Sequence, residues 1–290
     1  MSKILLTGDT GFLGQAFISK FGKDHEIIGI HNMMKEVPYK YHIVDITNGD
    51  VQRIIMKEHP DVVCHFAAQT GVMSSEWDIE HNLSANITGL LNVLEGCKYA
   101  GYPKIIFPSS GGTVYGNKIH ARESDPLNPC NPYGITKAAG EWYIRWYNER
   151  YDIPYTILRL GNVYGPGTHR NAISTFIKHI TNEGNVTLYN GGVQQKDYIY
   201  IDDVMTLMQQ VLDDRNSLTL NVGTDIPTQT VSIVSKLAQL TGKTVSILHK
   251  NVESIEVTNY CLDCDKAEYM FGWHFRTNID EGLSKCLESV

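Results

Sequence analysis

The sequence contains no long apolar run and little positive charge. Its 290 residues include 25 Lys and Arg against 32 Asp and Glu, which gives a formal net charge of −7. A protein of this charge does not offer a broad surface to nucleic acid. No apolar stretch approaches the roughly 20 residues that span a bilayer, and residues 1–14 have the pattern of a strand and a turn rather than of a signal peptide. We therefore expect a cytoplasmic protein without a nucleic-acid or membrane partner.

Cysteine is too sparse and scattered to predict a disulfide framework. Of the six cysteines, Cys64 and Cys97 lie in apolar segments and are expected to be buried. Cys261 and Cys264 form the only CxxC pair. A structural zinc site usually needs a second ligand pair at short spacing, and none follows. The eleven histidines show no HExxH spacing, so the sequence predicts no metal site.

A glycine-rich turn lies close to the start of the chain. The apolar run at 4–6 leads into TGDTGFLG at 7–14 and then into an amphipathic stretch. Gly8 permits a tight turn, Gly11 lets the backbone approach a pyrophosphate, and Gly14 lets the helix pack closely on its strand. The helix N-terminus then offers N–H groups to an anion. This pattern predicts a dinucleotide-binding site.

Strands and helices alternate through the first 160 residues. Strands are predicted at 4–7, 27–30, 41–44, 62–66, 104–108 and 155–160. Helices are predicted at 12–22, 49–58, 82–100 and 133–151. Such alternation is typical of a parallel sheet with helices on both faces and right-handed crossovers. We expect an α/β fold with a Rossmann-type, doubly wound parallel sheet.

Beyond residue 160 the predicted elements are shorter. Helices are predicted at 171–183, 202–213 and 229–241, and strands at 186–190, 197–201, 219–222 and 244–249. We interpret this part as a smaller C-terminal α/β lobe that closes a cleft over the strand ends. The expected division is a dinucleotide-binding domain at 1–165 and a substrate-binding lobe over most of 166–290, with some segments returning to the main domain.

A tyrosine and a lysine four residues apart begin the long predicted helix. Tyr133 and Lys137 therefore share one helix face. A neighbouring ammonium group and a cationic nicotinamide ring would lower the phenol pKa from about 10, so that Tyr133 acts as acid and base. The same spacing occurs on ordinary amphipathic helices, and its weight here comes from the glycine turn upstream.

Hydroxyl groups follow the strand predicted at 104–108. In a sheet of this kind that strand ends beside the nicotinamide, where a hydroxyl can bind a substrate oxygen. Thr113 is the first candidate for this role and Ser110 the second. The alternative is that this Ser- and Gly-rich segment is only a loop.

Together these segments resemble the extended short-chain dehydrogenase/reductases of the nucleotide-sugar epimerase/dehydratase family. The matching segments run in family order along nearly the whole chain: TGDTGFLG at 7–14, HFAAQT at 65–70, SSGGTVYG at 109–116, YGITK at 133–137, LRLGNVYGPG at 158–167, KDYIYIDDV at 196–204 and WHFRTNIDEGL at 273–283. The resemblance implies bound NAD, with NADP not excluded, and a nucleotide-diphosphate sugar as substrate.

The resemblance also implies roles for individual residues. Those implied to bind the cofactor are Gly8, Gly11, Phe12, Leu13, Gly14, Asp45, Ile46, Phe66, Ala67, Ala68, Asn86, Tyr133 and Lys137. The implied catalytic groups are Tyr133 and Lys137, with Thr113 and Ser110 beside them. Thr113, Asn162 and Lys196 are implied to contact the substrate.

Three departures from the family pattern bear on the reaction. Lys196 stands where the family usually has an arginine, which removes a bidentate contact to the diphosphate. Gly112 and Thr113 stand where the dehydratase branch has an Asp-Glu pair, which argues against a 4,6-dehydratase. The strand predicted at 27–30 is followed by His31 and Asn32 instead of an acid for the ribose, so NAD and NADP remain alternatives.

We therefore expect a nucleotide-sugar epimerase acting at C4, with hydride passing transiently to bound NAD and Tyr133 exchanging the proton. An NADPH-dependent 4-keto reductase of a deoxysugar nucleotide is the main alternative, favoured by the missing acid and the short chain. A non-catalytic NAD(P)-binding regulator is a third, disfavoured because it needs neither Tyr133 nor Lys137.

The long helix also carries four aromatic residues, Trp142, Tyr143, Trp146 and Tyr147. This is more aromatic surface than one sheet face needs. We expect a homodimer in which this helix and the helix predicted at 82–100 pack against their copies.

Overall fold

The computed structural model describes residues 1–168, 171–251 and 257–289. Its strands are β1 (Lys3–Thr7), β2 (Glu26–His31), β3 (Lys40–Ile43), β4 (Val62–His65), β5 (Lys104–Ser110), β6 (Lys118–Ala121), β7 (Tyr155–Leu160), β8 (Asn162–Tyr164), β9 (Asn185–Tyr189), β10 (Gln195–Tyr200), β11 (Leu218–Val222), β12 (Pro227–Gln229), β13 (Ser246–Lys250) and β14 (Tyr260–Leu262).

The α-helices are α1 (Phe12–Phe21), α2 (Asp50–Glu58), α3 (Val72–Trp77), α4 (Ile79–Leu83), α5 (Gly89–Tyr99), α6 (Gly111–Val114), α7 (Pro132–Tyr151), α8 (Ala172–Asn182), α9 (Ile201–Asp213), α10 (Thr230–Thr241), α11 (Asp265–Phe271) and α12 (Ile279–Glu288). A π-helical turn, Ser84–Thr88, separates α4 from α5, and a short 3-10 helix, Asn190–Gly192, follows β9. None of the described helices is both long and apolar enough to cross a bilayer.

The central sheet has seven parallel strands in the order β3-β2-β1-β4-β5-β7-β11. Strand β1 shows why the sheet is covered on both faces. Ile4 and Leu6 pack into one hydrophobic cluster, whereas Leu5, which points the opposite way, packs into another. The predicted α/β fold with a Rossmann-type, doubly wound parallel sheet is confirmed.

Strands that follow β7, together with β6, build three smaller sheets. They are β12-β10-β8, β13-β9 and β14-β6. Strand β10 is parallel to β8 and antiparallel to β12. Strand β11 instead joins the central sheet beside β7, and it contains the segment predicted as a strand at 219–222.

The predicted helix at 82–100 is interrupted, and several short elements were not predicted. The interruption is the π-helical turn, whose Asn86 is buried. The missed elements include α3, α6, β6 and β14. Strands β6 and β14 pair with each other although some 140 residues separate them in the sequence. Local periodicity therefore predicts neither strand.

Candidate active site

The turn between β1 and α1 has the tight geometry expected of its glycines. Gly8 has a φ of +71°, and a Cβ there would lie 2.6 Å from the backbone nitrogen of Ala67. A Cβ on Gly14 would collide with the carbonyl oxygen of Gly8 and lie 2.7 Å from the Cα of Asp9. Gly11 is exposed, and a Cβ on it would approach only the carbonyl oxygen of Gly8, at 3.2 Å. The turn is therefore packed against protein at Gly8 and Gly14 and open to solvent at Gly11, which we call its open side.

Helix α1 begins directly behind this open side. Gly11 is its N-cap and has no side chain to accept from the first N–H groups, and the first turn carries no acidic residue. Phe12 and Leu13 are half-buried in that turn. Because the N–H groups and the positive end of the helix dipole face the turn, these residues fit a pyrophosphate.

A buried carboxylate from the same turn reaches the end of β2. Asp9 is fully buried, and both of its carboxylate oxygens lie 3.0 Å from Nδ1 of His31. The hydroxyl of Tyr39 donates to the same carboxylate at 2.8 Å. Gly29 makes room for this carboxylate, since a Cβ there would collide with Asp9 Oδ2. A buried acid therefore lies beside the end of β2, which sequence inspection overlooked because Asp9 belongs to another loop.

Hydrogen bonds between amide and hydroxyl groups fix the segment after β4. Asn86 accepts a hydrogen bond from the backbone N–H of Gln69 at 2.8 Å and donates to its carbonyl oxygen at 3.1 Å. It also donates to Thr136 Oγ1 at 3.1 Å, and Thr136 donates to Asn82 at 3.1 Å. The network fixes the loop that carries Phe66, Ala67 and Ala68 to helix α7.

Tyr133 and Lys137 lie on the first turns of α7. Asn131 caps this helix by accepting from the N–H of Gly134 at 2.8 Å. Lys137 Nζ donates to the carbonyl oxygen of Pro108 in β5 at 2.8 Å and lies 5.9 Å from the centroid of the Tyr133 ring. The amine is thus anchored between β5 and the phenol, and the predicted pair is brought together.

The electrostatics of this pair differ from the prediction. Burial raises the pKa of Tyr133 to about 12 and lowers that of Lys137 to about 8, because each charged form loses hydration. Burial also lowers the pKa of His65 to about 3, aided by the charge of Lys137. The expectation that Lys137 lowers the phenol pKa is therefore wrong for the protein alone.

The end of β5 carries the predicted hydroxyls. Thr113 is buried in α6 and its hydroxyl lies 3.5 Å from the carbonyl oxygen of Ser110, the half-buried last residue of β5. A Cβ on Gly112 would lie 2.5 Å from Cζ of Tyr260, and one on Gly111 would lie 2.6 Å from Leu262. Strand β14 thus fills the space that a carboxylate at position 112 would need.

A buried ion pair, also missed in the sequence, supports the same strand. Glu141 of α7 accepts from Ser109 at 2.6 Å and from Arg159 Nη2 at 2.6 Å. Arg159 Nη1 donates to the hydroxyl of Tyr115, which donates to Asn221 at 2.8 Å. Since these charges are paired inside the protein, they hold β5, β7 and α7 together rather than face a ligand.

The remaining predicted residues lie further out. Asp45 is exposed after β3 and accepts from the N–H and hydroxyl of Thr47 at 2.9 and 2.8 Å, while Ile46 is buried. Hydrogen bonds, led by that of Thr47, lower the pKa of the Asp45 carboxyl. Asn162 and Lys196 lie on the adjacent strands β8 and β10, which belong to a sheet separate from the central one.

Comparison with known proteins agrees with this arrangement. The family model described as NAD dependent epimerase/dehydratase family matches residues 4–223. A protein named putative UDP-glucose 4-epimerase from Methanocaldococcus jannaschii is 32% identical over 97% of this chain and 96% of its own length.

Two solved structures superimpose along almost the entire chain. The Thermus thermophilus UDP-glucose 4-epimerase in complex with NAD has a TM-score of 0.93 and 27% identity, covering 99% of this chain and 98% of its own. The Thermotoga maritima UDP-glucose 4-epimerase with UDP-glucose has a TM-score of 0.92 and 28% identity, covering 99% and 97%.

The glycine turn, the anchored tyrosine–lysine pair and the seven-stranded parallel sheet thus occur in a chain whose family match covers most of its length. That match also confirms the expectation that NAD is the cofactor. This chain is an enzyme that belongs to the NAD-dependent epimerase/dehydratase family.

Proposed function

We propose that the enzyme interconverts the C4 epimers of a UDP-sugar, with Tyr133 as the acid and base. The observation that carries this proposal is the Lys137 amine held 2.8 Å from the carbonyl oxygen of Pro108, beside the phenol of Tyr133 and the hydroxyl-bearing end of β5. The relatives named as UDP-glucose 4-epimerases support the choice of substrate.

In the proposed reaction Tyr133 takes the proton of the sugar 4-hydroxyl and later returns a proton to the 4-keto oxygen. When bound, NAD⁺ would supply a reversible hydride acceptor for C4, and its positive ring would favour the phenolate. The cleft has to let the 4-keto sugar rotate, so that either of its faces can be presented to the cofactor. Thr113 and Ser110 bind the sugar oxygen, while Asn162 and Lys196 contact the diphosphate side.

The fit of β14 against the end of β5 separates epimerisation from dehydration. A 4,6-dehydratase needs carboxylates to remove a proton and expel the C6 hydroxyl. Gly112 has no room for such a side chain beneath Tyr260, and Thr113 carries a hydroxyl instead. The proposal therefore excludes dehydration.

The cofactor half is proposed to hold NAD through the open glycine turn. The groups that fit the cofactor are the N-terminal turn of α1, Asp45 with Ile46, and the segment after β4 above Asn86. The buried carboxylate of Asp9 adds a negative charge behind the turn without facing the cofactor. We assign cofactor binding to residues 1–165 with β11, and substrate binding to most of 166–290.

The deciding experiment incubates purified enzyme with UDP-glucose, without added cofactor, and follows UDP-galactose by chromatography. Interconversion, together with NAD⁺ released on denaturation and identified by mass spectrometry, supports the proposal. Stoichiometric oxidation of NADPH with a 4-keto-sugar nucleotide, and no interconversion of UDP-glucose or UDP-glucuronate epimers, would instead identify the reductase alternative.

We also propose that α7 forms a homodimer interface. Trp142 and Trp146 are 64% and 50% exposed, and Tyr143 is 40% exposed. Tyr147, in contrast, belongs to the core and donates to Glu95. Sedimentation velocity at micromolar concentration should give twice the chain mass for the wild type and a single-chain mass for Trp142→Glu; a wild-type monomer contradicts the interface.

The location proposed for the enzyme is the cytosol. Cys64, Cys97 and Cys286 are buried thiols outside any disulfide, as reducing compartments favour. Fractionation of the source cells with an antibody to the protein tests this assignment.

A further inference from the structure

Three metal-ligating side chains meet at β14, and none of them belongs to the proposed cofactor or substrate site. They are His120 of β6, Asp225 of the loop after β11, and Cys261 of β14. Nδ1 of His120 lies 2.6 Å from Oδ1 of Asp225 and 3.6 Å from Sγ of Cys261. Sγ of Cys261 lies 3.5 Å from Oδ1 of Asp225. The three ligand atoms therefore form one small triangle.

We propose that His120, Asp225 and Cys261 bind a zinc ion. In a tetrahedral zinc site, bonds of about 2.0–2.1 Å to nitrogen and oxygen and about 2.3 Å to sulfur place sulfur roughly 3.5 Å from each of the other two ligand atoms. Both sulfur distances in this cluster match that value, at 3.6 and 3.5 Å.

The third side of the triangle is shorter than a zinc site requires. Nitrogen and oxygen ligands of tetrahedral zinc lie about 3.3 Å apart, whereas Nδ1 of His120 and Oδ1 of Asp225 are 2.6 Å apart in a hydrogen bond. The side chains of His120 and Asp225 are 60% and 42% exposed. Because both side chains are partly exposed, a small rotation would open this side while the buried sulfur stays in place.

The chemistry of the three ligands indicates which metal ion they bind, and their exposure shows how that ion enters from solvent. A thiolate, an imidazole and one carboxylate suit a borderline-soft divalent ion such as zinc better than the hard ions magnesium and calcium. Cys261 is buried and forms the floor, while the exposed His120 and Asp225 leave an entry from solvent. Three protein ligands leave the fourth position to water.

The surrounding backbone holds the ligands in place before an ion arrives. The buried carboxylate of Asp197 accepts from the N–H groups of Asp225 and Leu262, at 3.2 and 3.1 Å. The backbone N–H of His120 lies 3.2 Å from Sγ of Cys261. A single carboxylate therefore fixes the loop that carries Asp225 and the strand that carries Cys261.

The CxxC pair in the sequence does not form this site. Cys264 accepts from the N–H of Gly223 at 3.2 Å and donates to the carbonyl oxygen of Leu262 at 3.4 Å, so its sulfur is used elsewhere. The partners of Cys261 come from positions 120 and 225, which no short spacing connects. This explains why the sequence predicted no metal site.

The test uses the full chain without an affinity tag, stripped with a chelator and dialysed. Calorimetry with zinc chloride should show one ion per chain. Cobalt(II) should give a thiolate-to-cobalt absorption band in the near ultraviolet. Cys261→Ser should abolish the band and weaken zinc binding at least about 100-fold, whereas the exposed Cys130→Ser should leave both unchanged.

Two surface variants keep the result interpretable if Cys261→Ser does not fold. His120→Gln and Asp225→Asn should each weaken zinc binding at least about tenfold, while His249→Gln, an exposed histidine elsewhere, should not. Zinc affinity that survives all three ligand changes, or a wild type that binds no zinc at micromolar concentration, overturns the proposal. Neither readout depends on epimerase activity, so the outcome is independent of the proposed function.

Discussion

The cofactor half (residues 1–165 with β11) and the substrate half (the other described residues) obtain their candidate groups in different ways. In the cofactor half these groups follow β1, β4 and β5 or begin α7, so one parallel sheet brings them to one edge. The candidate substrate residues Asn162 and Lys196 instead lie on the small sheet β12-β10-β8, whose strand β8 still belongs to residues 1–165. The comparison teaches that the regular sheet gathers the proposed catalytic groups, whereas the proposed substrate contacts lie on a small sheet assembled from distant segments.

The strongest test of this division removes the phenol from the cofactor half. Tyr133→Phe should lower kcat about 10³-fold, because no other group on α7 replaces its proton. Steady-state kinetics and cofactor content should show that NAD and UDP-sugar are still bound. Tyr143→Phe, on the same helix, serves as the control. Near-normal turnover by Tyr133→Phe would contradict the assignment of Tyr133 as the acid and base.

The second test compares two glycines of the same turn. Gly14→Ala should lower the free energy of unfolding by about 3 kcal/mol, because its Cβ meets backbone atoms that cannot turn aside. Gly11→Ala should cost less than about 1 kcal/mol of that free energy yet weaken NAD binding, since its Cβ points to the open side. Urea unfolding measures the free energy of unfolding of each variant, and NAD titration measures its cofactor affinity. Equal losses of unfolding free energy in the two variants would contradict the expected difference between Gly14 and Gly11.

The third test uses pH to expose the buried amine. The pKa of Lys137 is about 8 in the native state and about 10.4 when unfolded. Below pH 8 the Lys137 amine is protonated in both the native and the unfolded state, and the native state bears the full free-energy cost of burying its charge. Between the two pKa values the unfolded state binds more protons than the native state, so the free energy of unfolding rises with pH.

Cofactor-free wild type should therefore gain about 2 kcal/mol of unfolding free energy from pH 7 to 10 relative to Lys137→Met. Urea unfolding at both pH values measures this difference. A parallel change in both proteins would mean that Lys137 is not the group responsible.

The fourth test belongs to the substrate half. Lys196→Ala should raise KM for the UDP-sugar about tenfold with little change in kcat, because a contact to the diphosphate is made equally in ground and transition states. Lys196→Arg should lower KM, since a guanidinium binds phosphate oxygens in pairs. A fall in kcat with unchanged KM would place Lys196 in the chemistry instead.

The smallest expected effect concerns the choice between NAD and NADP. Asp9→Asn retains the shape of the buried group but removes the negative charge at the end of β2, which disfavours a 2′-phosphate. The affinity for NADP relative to NAD should rise about fivefold, roughly 1 kcal/mol. Fluorescence titration with both dinucleotides measures the ratio, and an unchanged ratio would remove Asp9 from cofactor selection.

Local patterns in the sequence determined the parallel sheet, the glycine turn and the pairing of Tyr133 with Lys137. Each depends on spacing within one strand, turn or helix, and a helix of fixed pitch places residues four apart on one face. The family resemblance follows from the same short segments, since they carry the groups that the sheet gathers at its edge.

Tertiary structure alone decided three other features. Burial reversed the expected shift of the Tyr133 pKa, because loss of hydration depends on every element packed around the phenol. Asp9 contacts His31, and His120 contacts Asp225 and Cys261, although these residues are far apart in the sequence. No helical or strand periodicity relates residues at such separations. These features depend on contacts between distant segments, which form only when the chain folds, whereas periodicity reports only what one segment does by itself.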